Sequence, residues 1–137
     1  MITIHKQLTI SDKVELYFKA QIKGNTDKDK VILNLFSDQI NFTNIEGYDF
    51  FDALVKLRRL LEDRKLFILC QGSAKNVYPS RMIRDMSSGL KAYVLKLGKK
   101  TSIDNLVEIF DPASVEVVGL ISEQIMFFEQ WVAIPKD

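Results

Sequence analysis

The stretch FILCQGSAKNVYPSRMIRDMSSGLKAYVL, residues 67–95, places a polar connector between two apolar runs. The run at residues 66–70 predicts a buried strand that stops at Gly72, and the run at residues 91–97 predicts a second strand that follows Gly89. The connector is rich in polar, aromatic and thioether groups, and loops carried on rigid strands are where binding groups usually lie. We therefore expect the rest of the chain to hold this connector in place.

The connector itself predicts a short helix at residues 80–88, which begins after Pro79. Met82 and Met86 are four residues apart, so they would share one face of this helix. Because methionine is an adaptable packing residue, we expect this pair to fill part of the core.

Upstream of the connector, apolar and polar residues alternate along residues 2–22. Period-two alternation predicts half-buried antiparallel strands, because successive side chains point to opposite faces of a sheet. Residues 24–30 predict a turn, residues 31–36 a further strand, and residues 41–43 a short continuation. The first third of the chain is therefore expected to form an antiparallel sheet.

Two amphipathic helices are expected to cover this sheet. The first spans residues 47–64 and places its charged residues, Asp49 among them, away from its apolar face. The second begins with Ser122 as its N-cap and ends before Pro135. The apolar face of the first helix comprises Phe50, Phe51, Leu54, Leu57 and Leu61.

The whole pattern predicts an α+β fold, an antiparallel sheet with amphipathic helices packed on it, in a single domain of residues 1–137. Residues 105–110 complete it as a strand that forms a hairpin with residues 91–97. No run approaches the roughly 18 apolar residues of a membrane span, and the first ten residues lack the pattern of a signal peptide. The single cysteine fits a reducing compartment, so we expect a cytoplasmic protein.

The charge of the chain is unevenly divided. The net charge of +1 argues against a protein that binds nucleic acid generally. Residues 71–100 carry seven basic groups against one acidic group, whereas residues 101–137 carry seven acidic groups against one basic group. Either the two segments lie side by side and neutralise each other, or the acidic segment forms an exposed face that steers a basic partner.

The sequence contains no complete catalytic constellation. Cys70 is the only thiol and His5 the only imidazole. The alternation turns His5 toward solvent, whereas Cys70 ends a buried strand, where free cysteines usually serve as small apolar residues. Structural zinc takes about four nitrogen or sulfur ligands, and only these two side chains are available. We therefore expect no enzyme, no metal site and no cofactor.

An anion-binding pocket in the connector, residues 72–93, stays open as the alternative function. The pocket would hold either a small ligand or the substrate of an enzyme. Residues 70–76, CQGSAKN, place a glycine, a serine and a lysine after a strand, although they lack the spacing of a P-loop. Basic side chains and nearby backbone donors can nevertheless hold an anion. The candidate pocket residues are Ser73, Lys75, Tyr78, Ser80, Arg81 and Arg84.

Several short motifs within residues 45–132 resemble a known group of proteins. The motifs are Cys-x-Gly at 70–72, Val-Tyr-Pro-Ser at 77–80, Gly-x-Lys-Ala-Tyr at 89–93 and Leu-Val-Glu-Ile-Phe-Asp at 106–111. They resemble small bacterial proteins found beside polymorphic toxins, the immunity proteins, including those of contact-dependent growth inhibition systems. Ser87 and Ser88 stand where this group carries glycines.

The resemblance implies a protein that binds a cognate toxin domain in the producing cell and neutralises it without turnover. Many such toxins act on nucleic acid and carry basic surfaces, so an acidic face on the inhibitor would steer the two together. The candidate partner-binding residues are Asp104, Glu108, Asp111, Glu116 and Glu123. The opposite assignment, in which Lys75, Arg81 and Arg84 meet an acidic catalytic centre, also stays open.

Overall fold

The chain forms a five-stranded antiparallel sheet, a three-stranded sheet and three helices in a computed structural model that describes residues 1–137. The larger sheet contains β1 (Thr3–Ser11), β2 (Tyr17–Asp27), β3 (Lys30–Phe36), β4 (Asn41–Gly47) and β5 (Phe67–Ile68). Its spatial order is β4-β3-β2-β1-β5, and every neighbouring pair is antiparallel. The α+β fold class predicted from the sequence is confirmed.

The smaller sheet lies in the second half of the chain. It contains β6 (Val77–Tyr78), β7 (Lys91–Val94) and β8 (Leu106–Glu108), in the order β6-β7-β8. The predicted hairpin between β7 and β8 is confirmed, with Tyr93 opposite Leu106. The helices are α1 (Phe50–Glu62), α2 (Arg81–Ser87) and α3 (Ile121–Ala133). None of these helices has the length and apolar character needed to cross a membrane.

The alternation along the first strands buries one face of the larger sheet. Leu8 and Ile10 of β1 are buried, and so are Ala20 and Ile22 of β2. Helix α1 packs on this face with all five of its predicted apolar residues buried. A cluster of 22 buried apolar residues joins both sheets and α1, so one continuous core supports the connector.

The helical pattern predicted that Asp49 lies away from the core, but the residue is buried. It is the N-cap of α1, is only 8% exposed, and accepts a hydrogen bond of 2.7 Å from the backbone N–H of Asp52. The helix pattern failed here because Asp49 lies before the first helical residue, where a carboxylate satisfies an otherwise unpaired N–H.

The turn predicted at residues 24–30 is shorter than expected. Strand β2 continues to Asp27, and the hairpin turns at Lys28 and Asp29. Gly24 lies inside this strand, at a position where a Cβ atom would come within 2.9 Å of the Leu33 side chain. This glycine therefore permits close packing and does not form the turn.

Helix α3 begins two residues earlier than predicted. Its N-cap is Leu120, not Ser122, and the Glu123 carboxylate accepts a hydrogen bond of 2.8 Å from the Leu120 N–H. A side chain inside the first turn thus reaches back to the helix end, which the expected serine cap would otherwise have stabilised.

The predicted helix in the connector is confirmed as α2, but its methionines do not enter the core. The Ser80 hydroxyl caps this helix by accepting from the Ile83 N–H at 3.1 Å. Met82 and Met86 are 72% and 76% exposed. A two-turn helix has only one face against the protein, and these residues lie on the other.

Residues 88 and 89, at the end of α2, adopt a backbone conformation that favours glycine, although position 88 is a serine in this chain. Ser88 and Gly89 both adopt left-handed backbone conformations, with φ of 55° and 79°. A Cβ atom at position 89 would lie 2.6 Å from the Asp49 carboxyl carbon, so only glycine fits there. The Ser88 carbonyl accepts from the Phe50 N–H, which ties the end of α2 to the start of α1.

Candidate functional site

A cleft of about 710 Å³ lies beside helix α2. Its walls come from the tip of the β2–β3 hairpin, the residues that precede α1, α2 itself and Phe128 of α3. The volume falls in the range of about 300–1,000 Å³ that is typical of small-molecule sites. The cleft is therefore the main concave feature that the connector helps to build.

One wall of the cleft contains an ion pair between Arg84 and Asp49. Arg84 donates from Nε to Asp49 Oδ2 at 2.9 Å and from Nη2 to Oδ1 at 3.2 Å. The guanidinium also lies 5.0 Å from the ring centre of Tyr48 and 5.2 Å from that of Phe51. Partial burial opposes the charge, but the hydrogen bonds that Arg84 donates to Asp49 and the negative charge of that carboxylate prevail and raise the pKa of Arg84. Arg84 is thus a fixed structural cation.

Four charged side chains on the rim of the cleft form no ion pair. Lys28 and Asp29 are on the hairpin tip, and Arg81 and Asp85 are on α2. All four are exposed. Each wall therefore carries one free cation and one free anion, which gives the rim no strong preference for ligands of one sign.

Aromatic rings join the cleft to helix α3. Tyr78 packs edge-on against Phe51 at 5.4 Å between ring centres and stacks on Phe128 at 4.2 Å. Phe128 in turn stacks near Trp131, whose indole N–H donates to the Lys99 carbonyl at 2.9 Å. The inner wall of the cleft is therefore a rigid aromatic ladder.

The structure brings together three of the six predicted pocket residues. Tyr78, Arg81 and Arg84 line the cleft. Ser80 caps α2, and Ser73 is fully buried beside Cys70, with their side-chain oxygen and sulfur atoms 3.4 Å apart.

Lys75, the sixth of these residues, lies elsewhere. A Cβ atom at Gly119 would come within 2.4 Å of its Cγ and within 2.7 Å of the Glu123 carboxylate. Lys75 therefore packs against the segment that leads into α3, and the connector does not form a pocket by itself.

A buried network that the sequence reading missed fixes the base of the connector. Arg58 of α1 is 2% exposed and donates to the carbonyls of Gly72 (3.3 Å) and Gly119 (3.1 Å) and to the Gln124 side-chain oxygen (2.6 Å). Burial lowers the pKa of Arg58. Neutral oxygens thus hold this cation without a direct carboxylate partner.

Gln124 of α3 completes this network from the opposite side. Its amide nitrogen lies within 2.9 Å of the carbonyl oxygens of Gly72, Ala74 and Val77. The spacing of Ile121, Gln124 and Phe128 on α3 was the available sequence signal, because it places the glutamine on the inward face. One side chain from each long helix therefore clamps the connector.

The single thiol and the single imidazole do not meet. Cys70 is fully buried, and burial raises the pKa of its thiol. His5 lies exposed on β1 with its Nε2 2.8 Å from the Gln21 side-chain oxygen. No three His, Cys, Asp or Glu side chains lie close enough together to hold a metal ion.

The five acidic candidates for partner binding occupy different surroundings. Asp111 pairs with Lys6 at 3.6 Å, and Glu108 lies opposite Lys91 in the register of β7 and β8. Glu123 binds the start of α3. The remaining two, Asp104 and Glu116, are exposed and form no ion pair.

No protein-family model matches this sequence, and no curated protein matches it. The resemblance to immunity proteins therefore rests on the motifs at residues 70–72, 77–80, 89–93 and 106–111. The geometry of the surface and of the cleft supplies the other grounds for a function.

Proposed function

We propose that this chain is a cytoplasmic immunity protein that binds and neutralises a cognate bacterial toxin domain by stoichiometric protein–protein interaction. The motif resemblance supports this function. The observation that carries it is a set of large apolar side chains that ordered elements expose to solvent. Covering the toxin's active site, or blocking its access to substrate, would follow from binding alone.

Single exposed apolar residues are common on any protein, but groups of them mark interaction sites. Here they occur on α2, on α3 and on three loops of an otherwise closely packed chain. Apart from Met1, the aliphatic and methionine side chains exposed by at least two fifths are Val14, Leu16, Met82, Met86, Leu97, Ile103, Val117, Leu120, Ile125, Met126 and Val132. Methionine suits such surfaces because its flexible thioether adapts to a partner.

The chemistry-bearing groups of the connector serve the fold. Arg84 is engaged by Asp49, Ser80 caps α2, and Cys70 and Ser73 are buried together. A rigid scaffold with exposed apolar groups supports binding without turnover, because little ordering entropy is lost on association.

Titration of toxin activity tests the proposal. A toxin domain sought among the genes beside this chain's own is mixed with increasing amounts of the purified protein, and the lack of any such gene would itself contradict the proposal. We expect residual activity to fall linearly and reach zero at one equivalent, and calorimetry to give a one-to-one complex. Full activity at excess inhibitor would contradict the proposal. So would inactivation of many toxin equivalents by one molecule, since that is turnover.

Cys70→Ala is a matched control for covalent chemistry. The thiol is buried, and burial raises its pKa, so the variant should inhibit with the same stoichiometry as the wild type. Loss of inhibition in a variant that still unfolds cooperatively would point to a reaction at Cys70 instead of simple binding.

The cleft supports a second candidate function, a site for a small anionic ligand. Its volume supports a small-ligand site, and the free cations Lys28 and Arg81, one on each wall, are the groups that would bind the anion. Thermal unfolding with inorganic phosphate and with succinate tests it. A ligand-dependent rise in the unfolding temperature that is lost in the K28Q/R81Q variant would support it, whereas equal curves with and without both anions would count against it.

A further inference from the structure

Two loops on one side of the molecule are locked to each other. The first is the β1–β2 loop, residues 12–16, and the second is the segment 114–120 that precedes α3. The Lys13 ammonium group donates to the Val118 carbonyl and lies 5.1 Å from the ring centre of Phe67. This lysine thus joins the two loops across the edge of the sheet.

The β1–β2 loop has a fixed backbone. The Asp12 carboxylate oxygen Oδ1 accepts from the N–H groups of Val14 (2.8 Å), Glu15 (3.0 Å) and Leu16 (2.9 Å). These backbone hydrogen bonds lower the pKa of Asp12. The loop is therefore organised as a capped turn before any partner arrives.

The second loop is fixed by the connector. The Lys75 N–H donates to the Val117 carbonyl at 2.9 Å, and the Gly119 N–H donates to the Ser73 carbonyl at 3.1 Å. Val118 itself is buried and bridges to Ala74. The side chains of Val117 and Leu120 are consequently held out from a hydrogen-bonded backbone.

Four apolar side chains project into solvent from these two loops. Val14 is 81% exposed, Leu16 is 42% exposed, and Val117 and Leu120 are each 40% exposed. Apolar groups on a fixed backbone lose little conformational freedom when a partner covers them. The two loops thus present a preorganised apolar contact.

Carboxylates interrupt this apolar contact. Glu15 and Glu116 are exposed, and neither forms an ion pair. No lysine or arginine occurs between residues 101 and 135. Two lysines lie beside these loops, Lys13 on the Val118 carbonyl and Lys75 with its stem against Gly119. Four carboxylates in and beside the loops outnumber them: Asp12, Glu15, Glu116 and Glu123. The charge of a complementary partner surface is therefore positive.

We infer that these two loops form the docking surface for a basic protein face, that of the toxin domain. The inference rests on the proposed function and assigns the face that binds. The loop surface consists of Val14, Glu15, Leu16, Glu116, Val117 and Leu120. It differs from the acidic set expected from the sequence. Asp111 pairs with Lys6, Glu108 lies opposite Lys91 in the register of β7 and β8, and Glu15 joins from the other end of the chain.

Charge reversal at matched positions tests the assignment. The same toxin domain is titrated calorimetrically with the wild type, with E15K/E116K and with D104K/E129K. The D104K/E129K variant is the control, because it changes the net charge by the same amount at exposed carboxylates outside the loop surface. We expect the first variant to raise Kd at least about tenfold and to flatten its dependence on salt, while the second changes Kd by less than about threefold.

Leu16→Ser is a second variant that leaves every charge in place. It should raise Kd about tenfold at both low and high salt, because the loss is apolar contact. Circular dichroism melts verify that each variant is folded.

Three outcomes would overturn the assignment. If the toxin binds the wild type and E15K/E116K equally, the docking surface is elsewhere and the proposed function still stands. If the wild type itself does not bind the toxin, the proposed function fails, and this assignment fails with it. If light scattering shows a dimer of the free protein that Leu16→Ser dissociates, the surface binds a second copy instead.

Discussion

Arg58 and Arg84 are both withdrawn from solvent, but neutral oxygens hold Arg58 whereas a carboxylate holds Arg84. Arg58 donates to two backbone carbonyls and to Gln124 in the interior. Arg84 makes a two-point pair with Asp49 at the wall of the cleft and lies over the Tyr48 ring. The interior arginine spans three segments of the chain, while the wall arginine joins only two.

The difference illustrates two structural roles of a buried cation, one inside the core and one at the wall of a cleft. Dipoles of fixed carbonyls solvate Arg58, so removing it strands several acceptors that water cannot reach. Water still reaches the groups around Arg84, since its side chain is 19% exposed. We therefore expect the connector to depend on Arg58 for its stability, and the cleft to depend on Arg84 mainly for its shape.

Arg58→Ala should have the largest effect on stability. The substitution leaves the Gly119 carbonyl and the Gln124 oxygen without their donor, removes one of two donors to the Gly72 carbonyl and opens a cavity. The expected cost is about 3–5 kcal/mol. Urea unfolding measures the change in the free energy of unfolding. Arg59→Ala, an exposed neighbour on the same helix, is the control and should stay within about 0.5 kcal/mol. Equal effects of the two variants would contradict the role of the network.

Gln124→Leu should have the next largest effect. Leucine keeps most of the side-chain volume but removes the donor to the carbonyls of Ala74 and Val77, at a cost of about 2–3 kcal/mol. Hydrogen exchange should also quicken in the connector. Gln130→Leu, an exposed change on the same helix, should alter neither the unfolding curve nor exchange. Unchanged exchange in the Gln124 variant would show that the connector is held by other contacts.

Asp49 allows the cap and the ion pair to be separated. Asp49→Ala removes both and should cost about 2 kcal/mol, whereas Asp49→Asn keeps an N-cap and loses only the charge pair with Arg84, at about 1 kcal/mol. Chemical denaturation of both variants and of Arg84→Gln gives a comparison. If the Asn and Ala variants are equally destabilised, the cap contributes nothing and the pair carries the whole effect.

Tyr48→Ala should have the smallest effect. The ring is 67% exposed, and its contact with the Arg84 guanidinium is worth about 0.5 kcal/mol. Tyr17→Ala, an exposed tyrosine on β2, provides the baseline. A loss above about 2 kcal/mol in the Tyr48 variant alone would mean that the wall of the cleft, and not the interior, sets the stability of this region.

Most elements of the fold could be predicted from the sequence because their hydrophobic periods are local. Period-two alternation located β1 and β2, and helical spacing gave the buried face of α1. The boundaries were less predictable. Gly24 indicated a turn by composition, yet it lies inside β2 because the neighbouring strand requires the space that a side chain would fill.

The candidate sites were predicted less well, because they combine residues that lie far apart in the chain. The cleft takes one wall from the β2–β3 hairpin, and no motif connects residues 26–31 with residues 78–88. Arg58 follows Leu54 by four residues and precedes Leu61 by three, so its spacing did place it on the buried face. The spacing alone did not identify it as buried, because arginine is mostly exposed in folded proteins.

The sequence by itself determined the α+β class, the amphipathic faces of the helices and the opposite charges of residues 71–100 and 101–137. Each of these features depends only on residues that are close together in the chain. Only the tertiary structure decided which charges are free. Whether Glu15 and Glu116 share a surface, and whether Asp111 is neutralised, depends on contacts between β1, its following loop and the segment before α3. Such contacts form through packing of the whole core, and no local pattern encodes them.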